Sequence, residues 1–303
     1  PRTFPLAHAL HNLVMVPKLR RLLIGCDAVH FLGSGPELLG FAAAAAARLL
    51  GVPFLVEPAL HPGQWGDSWI DVRLYRQADR VLAHTEAERQ VLERLGIPAE
   101  RVSVVLHGVD PQEGGDGQRF RERHAIPAAA PLILFLGRKT REKGVLRLLG
   151  AFRRIRDAVP EVRLVLAGPS AGAIPRSAEV GVLDLSDLSE AQKQDALAAC
   201  ALLCVPSEGE SFGLVYHEAW FYGKAVVALD LPALRESVAA NGGGLLVSED
   251  PASLEEALLS LLRDPQRARA MGERGRGVAL RHSWASAIES YRLAYRQTCG
   301  DHR

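Results

Sequence analysis

The sequence predicts an α/β protein built from two doubly wound, Rossmann-like domains, and three observations predict it. Short β-rich runs alternate with helical patterns along the whole chain, as βαβ units and parallel sheets require. The 303 residues suffice for two cores of ordinary size. The alternation breaks most sharply at the polar, glycine-rich stretch 112–118, where a domain boundary is expected.

The first domain is expected over 1–110. It reads as a strand at 28–32, a helical pattern at 36–50, a strand at 52–56, a strand at 80–83 and a helix at 85–95. Thr85 and Glu88 have the spacing of a capping box and Gly96 that of a helix stop; Ser189 with Gln192 and Ser253 with Glu256 repeat the box. A strand at 102–106 follows. The second domain, 111–283, opens with the strand 132–136 and a helix whose Val145, Leu148, Leu149, Phe152 and Ile155 keep helical spacing. Strands at 162–167, 202–205, 225–229 and 244–247 follow, with helices between them. Residues 284–303, through Trp284, Ile288, Tyr291 and Tyr295, form an amphipathic helix able to cross back to the first domain. The chain starts on Pro1, and nothing before Asp27 reads as an opening strand with a glycine-rich loop, so the first domain is expected to be incomplete.

Composition excludes several classes. The 36 basic and 35 acidic side chains leave a formal charge of +1, so no global field favours nucleic acid. Cys26, Cys200, Cys204 and Cys299 are scattered and lack zinc-site spacing, which fits a reducing cytoplasm and no structural metal. The longest apolar run, 38–47, stops at Arg48, well short of the roughly 20 residues that span a bilayer. Residues 18–23, Lys-Leu-Arg-Arg-Leu-Leu, suit either peripheral contact with an anionic inner membrane face or a helix packed on its sheet with the cations outward; packing is favoured.

Ligands of open α/β sheets collect beyond the carboxyl ends of the strands, so the loops after strands carry the chemistry. Residues 137–144 hold four cations in six positions, and Arg138 and Lys143 there suit a diphosphate, one as a fork and one as a point charge. A solvated loop of mixed charge is the plain alternative. Residues 206–213 lead from a buried strand into a helical pattern, so the amides of Ser211, Phe212, Gly213 and Leu214 are placed to meet a phosphate at a helix N-terminus. Glu210 precedes that turn, and Glu218 lies about two helical turns further on, where each carboxylate can accept hydrogen bonds from sugar hydroxyls. A helix cap and a solvated acid are the alternatives for the pair.

Glu210-Ser211-Phe212-Gly213 with Glu218-Ala219 and Gly223-Lys224-Ala225-Val226-Val227 resembles the E-x7-E signature of the family 4 retaining glycosyltransferases of GT-B fold. Gly137-Arg138, Glu142-Lys143-Gly144, Pro206-Ser207 and Asp27-Ala28-Val29-His30 stand in the family's order, as does His107-Gly108-Val109-Asp110, where the family often has Asn first. The resemblance runs from about Asp27 onward. It implies two domains facing a cleft, a nucleotide-diphosphate sugar as donor substrate, and no cofactor or metal. Arg138 and Lys143 would bind the diphosphate, Glu218 the ribose, Glu210 the sugar hydroxyls, and Ser211, Phe212, Gly213 and Leu214 the phosphate. The family is taken to retain configuration by front-side attack, a donor phosphate oxygen accepting the acceptor's proton. His61 stands where the family usually places a histidine facing the sugar, although Pro62 and Trp65 depart from the common pattern. His30 and His217 read as structural. Gly181-Val182-Leu183 is expected near the nucleobase by position. The acceptor would be a small molecule, a glycan or a lipid-linked acceptor. A nucleotide-binding partner protein without transfer activity, or a sugar-nucleotide epimerase or phosphorylase on the same scaffold, are the alternatives; the presence of Arg138, Lys143, Glu210 and Glu218 together speaks against the first, and the E-x7-E spacing beside an Arg…Lys-Gly loop against the others.

Overall fold

The computed structural model describes residues 4–300 except 59, 62, 64, 111–113, 171–178 and 187. Pro62 and the start of the 112–118 stretch therefore lie outside the described residues. The chain forms two compact units, Pro1–His107 with Ala285–Arg303, and Gly108–Trp284.

The first unit contains α1 (Phe4–Leu22), β1 (Val29–Leu32), α2 (Leu39–Leu50), β2 (Phe54–Glu57), α3 (Trp69–Tyr75), β3 (Arg80–Ala83), α4 (Glu86–Arg94) and β4 (Val102–Val104). The four strands pair in parallel in simple chain order, β1-β2-β3-β4. Phe54, Leu55, Val56, Val81 and Leu82 are buried, because strands covered on both faces need continuous apolar runs. Leu19 of α1 and Leu23 just beyond its end pack on the core that includes Phe41 and Ala44 of α2, while Lys18, Arg20 and Arg21 face outward, the packed arrangement expected for this segment.

The second unit contains α5 (Gly117–Arg123), β5 (Leu132–Leu136), α6 (Val145–Ala158), β6 (Arg163–Ala167), β7 (Val182–Leu185), α7 (Glu190–Ala199), β8 (Leu202–Cys204), α8 (Leu214–Phe221), β9 (Ala225–Leu229), α9 (Pro232–Leu234), β10 (Gly244–Val247), α10 (Pro251–Arg263) and α11 (Pro265–Arg281). The last helix, α12 (Trp284–Cys299), belongs to the first unit from Ala285 on. The six strands of the second unit are parallel in the order β10-β9-β8-β5-β6-β7. The chain therefore builds outward from β5 through β6 and β7, then returns to lay β8 on the other side of β5. Such a reversal opens a crevice at the carboxyl ends of the two central strands.

The helix starts follow local chemistry with two corrections. Ser189 and Gln192 make the expected reciprocal box at the start of α7. At α4, Thr85 accepts the Glu88 N–H, but the Glu88 carboxylate takes the N–H of His84 at 2.6 Å, so the box is displaced by one residue. The box expected at Ser253 is absent: Asp250 caps α10 and Pro251 fills its first position, so the helix is already under way when Ser253 accepts the Ser248 N–H at 3.2 Å.

Candidate functional site

Because β5 and β8 are neighbours, the loops that follow them are brought side by side. The Glu208 N–H donates to the Glu142 carbonyl at 2.8 Å, and Arg147 donates to the Pro206 carbonyl at 3.2 Å. Gly144 enters α6 with φ +76°, and a Cβ there would stand 2.1 Å from the Pro206 carbonyl oxygen. Only glycine accepts both that backbone and that approach. Gly213 plays the same part at α8: its φ is +79°, no side chain caps the helix, and a Cβ would meet the Tyr216 ring at 2.4 Å. Gly213 brings no side chain of its own to the amides of that first turn, the arrangement in which a helix N-terminus can receive an anion.

A cavity of about 490 Å³ opens at this edge, lined by Leu136, Gly137 and Arg138 after β5, Gly168 and Pro169 after β6, Ser186 and Leu188 after β7, Lys193 of α7, and Leu214, Val215 and Glu218 of α8. Of the residues singled out in the sequence, the fold gathers Arg138, Leu214 and Glu218 here. Lys143 and Glu210 form an ion pair of 2.9 Å where the two loops meet, with the Glu210 carboxylate mostly covered. Phe212 stacks on His217 at 4.3 Å and packs against His282, so it holds the turn from behind. His217 is fully buried, consistent with a structural part.

Two positions differ from expectation. Gly181 and Val182 open β7 instead of following a strand, and a Cβ on Gly181 would face Arg156 and the Val162 carbonyl, at the amino edge of the sheet. The residues that reach the cavity from this strand are Ser186 and Leu188, beyond its carboxyl end. A run carrying Asp184, which is only partly buried, gave little strand signal, and Gly181 read as a loop. His61 lies in the first unit, after β2, where it exchanges backbone hydrogen bonds with Trp65 at 2.9 and 3.1 Å and its ring packs 4.1 Å from the indole.

The sequence reading missed Lys193. Its Nζ donates to Glu218 at 2.8 Å and to Glu190 at 2.7 Å, and it lines the cavity. Burial opposes its charge, but the two carboxylates outweigh it and raise its pKa, so the ammonium is firmly held. Its helical distance from the capping residue Ser189 was a usable signal, since the capped first turn of a helix at a strand's carboxyl end faces the site. Also missed was a closed polar cluster in the first unit. Glu57, at the carboxyl end of β2, accepts from His84 at 3.0 Å and from Tyr291 of α12 at 2.8 Å, with His30 at 3.4 Å. Burial works against its ionisation, yet hydrogen bonds from His30 and His84 hold its carboxyl well below the usual range. His84 is buried too, and its hydrogen bond to Glu57 raises its pKa nonetheless. Among the described residues, no group of three or more His, Cys, Asp or Glu could hold a metal ion.

Two parallel-sheet α/β units, one with a crevice that carries Arg138, Lys193, Glu218 and an uncapped helix N-terminus, define a GT-B protein with a site suited to a polar, anionic ligand. Residues 116–278 match the family described as Glycosyl transferases group 1, and residues 2–108 match a Glycosyl transferase 4-like domain. The chain belongs to the group 1 glycosyltransferases. It is 31% identical to the alpha-maltose-1-phosphate synthase of Mycolicibacterium smegmatis, over 94% of this chain and 83% of that protein. It is 34% identical to a D-inositol 3-phosphate glycosyltransferase of Segniliparus rotundus, over 74% of this chain and 53% of the relative. In fold it is similar to Anabaena HepE, whose structure holds UDP and glucose, with a TM-score of 0.76 at 19% identity over 92% of this chain and 79% of that one.

Proposed function

We propose that the protein transfers a sugar from a nucleotide-diphosphate sugar to an acceptor hydroxyl with retention of configuration. The observation that carries this reading is the cavity at the β5/β8 reversal, lined by the Arg138 cation, the Glu218 carboxylate and the N-terminus of α8, which no side chain caps. Arg138 and the Gly213–Leu214 turn take the diphosphate. Lys143 has three N–H donors and gives one to Glu210, which leaves two for phosphate oxygens. As the sugar becomes oxocarbenium-like, charge grows on the leaving diphosphate, and prearranged cations and amides stabilise it most there. The reading therefore calls on no metal. Glu218 takes the ribose hydroxyls, and Ser186 and Leu188, rather than Gly181–Leu183, the base. Glu210 meets the sugar, with His61 as a further sugar-facing residue. The donor's own phosphate oxygen accepts the acceptor's proton, so no protein nucleophile is assigned.

No helix among the described residues is long and apolar enough to cross a membrane. Exposed Leu6, Leu10 and Leu13 on α1, followed by outward Lys18, Arg20 and Arg21, support peripheral contact at a cytoplasmic membrane face as part of the proposal.

Titration with UDP, GDP and ADP, followed by turnover of the matching donor, tests the reading. Glu210→Gln should lower turnover roughly tenfold or more with nearly normal diphosphate affinity, and Glu218→Gln should do the reverse, since a charge-assisted hydrogen bond is worth about 1.5 to 3 kcal/mol. Small and equal effects of both changes on both quantities would overturn these roles. Diphosphate binding without any transfer would favour a nucleotide-binding partner protein instead.

A further inference from the structure

The loop that presents Arg138 also contains a lysine that faces away from solvent. Lys139 is 1% exposed, one of the largest fully buried side chains in the described chain. Its Nζ is paired with Asp184 on β7, whose side chain is 6% exposed, and donates to the Leu185 carbonyl at 3.2 Å. The same carbonyl accepts the Gly168 N–H at 3.0 Å, and the Lys139 N–H donates to the Pro169 carbonyl at 2.8 Å. One residue, by its side chain to β7 and its backbone to the loop after β6, thus ties together the carboxyl ends of β5, β6 and β7. Those ends supply Gly137, Arg138, Gly168, Pro169 and Ser186, a whole wall of the cavity.

From this arrangement we infer that Lys139 and Asp184 are positioning residues for the diphosphate: the buried ion pair fixes the loop after β5 against β7 so that Arg138 stands at the cavity. The inference rests on the donor reading above. Two features separate it from simple cohesion of the core. The second unit already has a continuous apolar core around β5 and β6, and a buried ion pair is weak evidence for stability, since apolar residues of similar volume often replace one at no cost. The pair also sits at the sheet edge where a displaced loop alters ligand geometry, and a misplacement of about 1 Å there can cost on the order of a hundredfold.

The test uses the full chain and three changes: Lys139→Met, Asp184→Asn and the double change Lys139→Met with Asp184→Leu. Each protein is titrated calorimetrically with UDP, GDP and ADP and with the corresponding nucleosides, and its thermal midpoint is recorded. Lys139→Met should weaken the diphosphate that binds wild type by tenfold or more while nucleoside affinity changes less than twofold. Asp184→Asn, which keeps an acceptor oxygen, should lose less. The double change removes the unpaired buried charge and should return the thermal midpoint towards wild type, yet leave diphosphate affinity low. It also carries the test if Lys139→Met alone does not fold. A double variant that regains both the midpoint and diphosphate affinity, or a Lys139→Met protein that loses nucleoside and diphosphate alike, overturns the inference. If wild type binds none of the three diphosphates, the donor reading itself fails and this inference falls with it, a result visible before any variant is made.

Discussion

The two units place polar side chains at the carboxyl ends of parallel strands, and they use them in opposite ways. In the first unit the strands run in chain order, and Glu57, His84, His30 and Tyr291 close on one another. In the second unit the order reverses between β5 and β8, and Arg138, Lys193 and Glu218 line an open cavity. The difference follows from strand order. Where strands follow one another in order, buried polar groups at their ends satisfy each other; where the order reverses, the helices leave to opposite faces of the sheet and a crevice opens at the strand ends for a ligand.

The largest effect that would break this comparison comes from the closed cluster. Glu57→Leu takes away the carboxylate that pairs with the His84 ring, and removing one partner of a buried charged pair costs about 3 to 5 kcal/mol. Hydrogen exchange should show β2 and α12 losing protection while diphosphate affinity stays within twofold. A loss under about 1 kcal/mol would mean that the cluster contributes no more than a surface pair.

A pH dependence confined to the first unit comes next. Burial pushes Glu88 up to about 7 from an ordinary 4.5. Between those values the folded chain holds a proton that the unfolded chain has lost, so the stability that Glu88 contributes is full below about 4.5 and falls as pH rises towards 7. His84, raised from 6.5, continues the fall above that pH. The Glu88 part corresponds to roughly 3 kcal/mol. Glu88→Gln should flatten the decline between about pH 5 and 6.5 in calorimetry of the first unit, and an unchanged slope would show that another group titrates.

The smallest effect on stability sharpens the other side. Arg138 is exposed, so Arg138→Ala should leave the thermal midpoint of the free protein nearly unchanged. It should weaken a diphosphate by about 1.5 to 3 kcal/mol and a nucleoside hardly at all, as calorimetry would resolve. Equal losses for both ligands would remove the phosphate assignment.

Much of this was legible in the residues themselves. Leu132–Leu136, Ala225–Leu229 and Gly244–Val247 are the strands expected, because a buried parallel strand writes itself as an unbroken apolar run between glycine or proline breaks. The helix at Glu190–Ala199 announces itself through Ser189 and Gln192, since capping is a contact across three residues. The spacing of Glu210 and Glu218 and the glycines Gly144 and Gly213 likewise reflect local chemistry.

Tertiary structure decided the rest, because hydrogen bonds between strands and contacts across a sheet edge join residues far apart in the chain. That β8 lies beside β5, so that Lys143 meets Glu210, follows from strand pairing and from no local pattern. Asp184 weakened the apolar run of β7, and only its burial against Lys139 explains a charge there. Glu88 fits the box with Thr85 by spacing, yet the path of the chain into α4 turns its carboxylate to the His84 N–H. The sequence by itself determined most of the strands, the cap at Ser189 and which residue types suit a diphosphate and a sugar. Only the assembled sheets decided which of those side chains open onto a cavity and which close on each other, since that depends on the order of strands, a property no single segment contains.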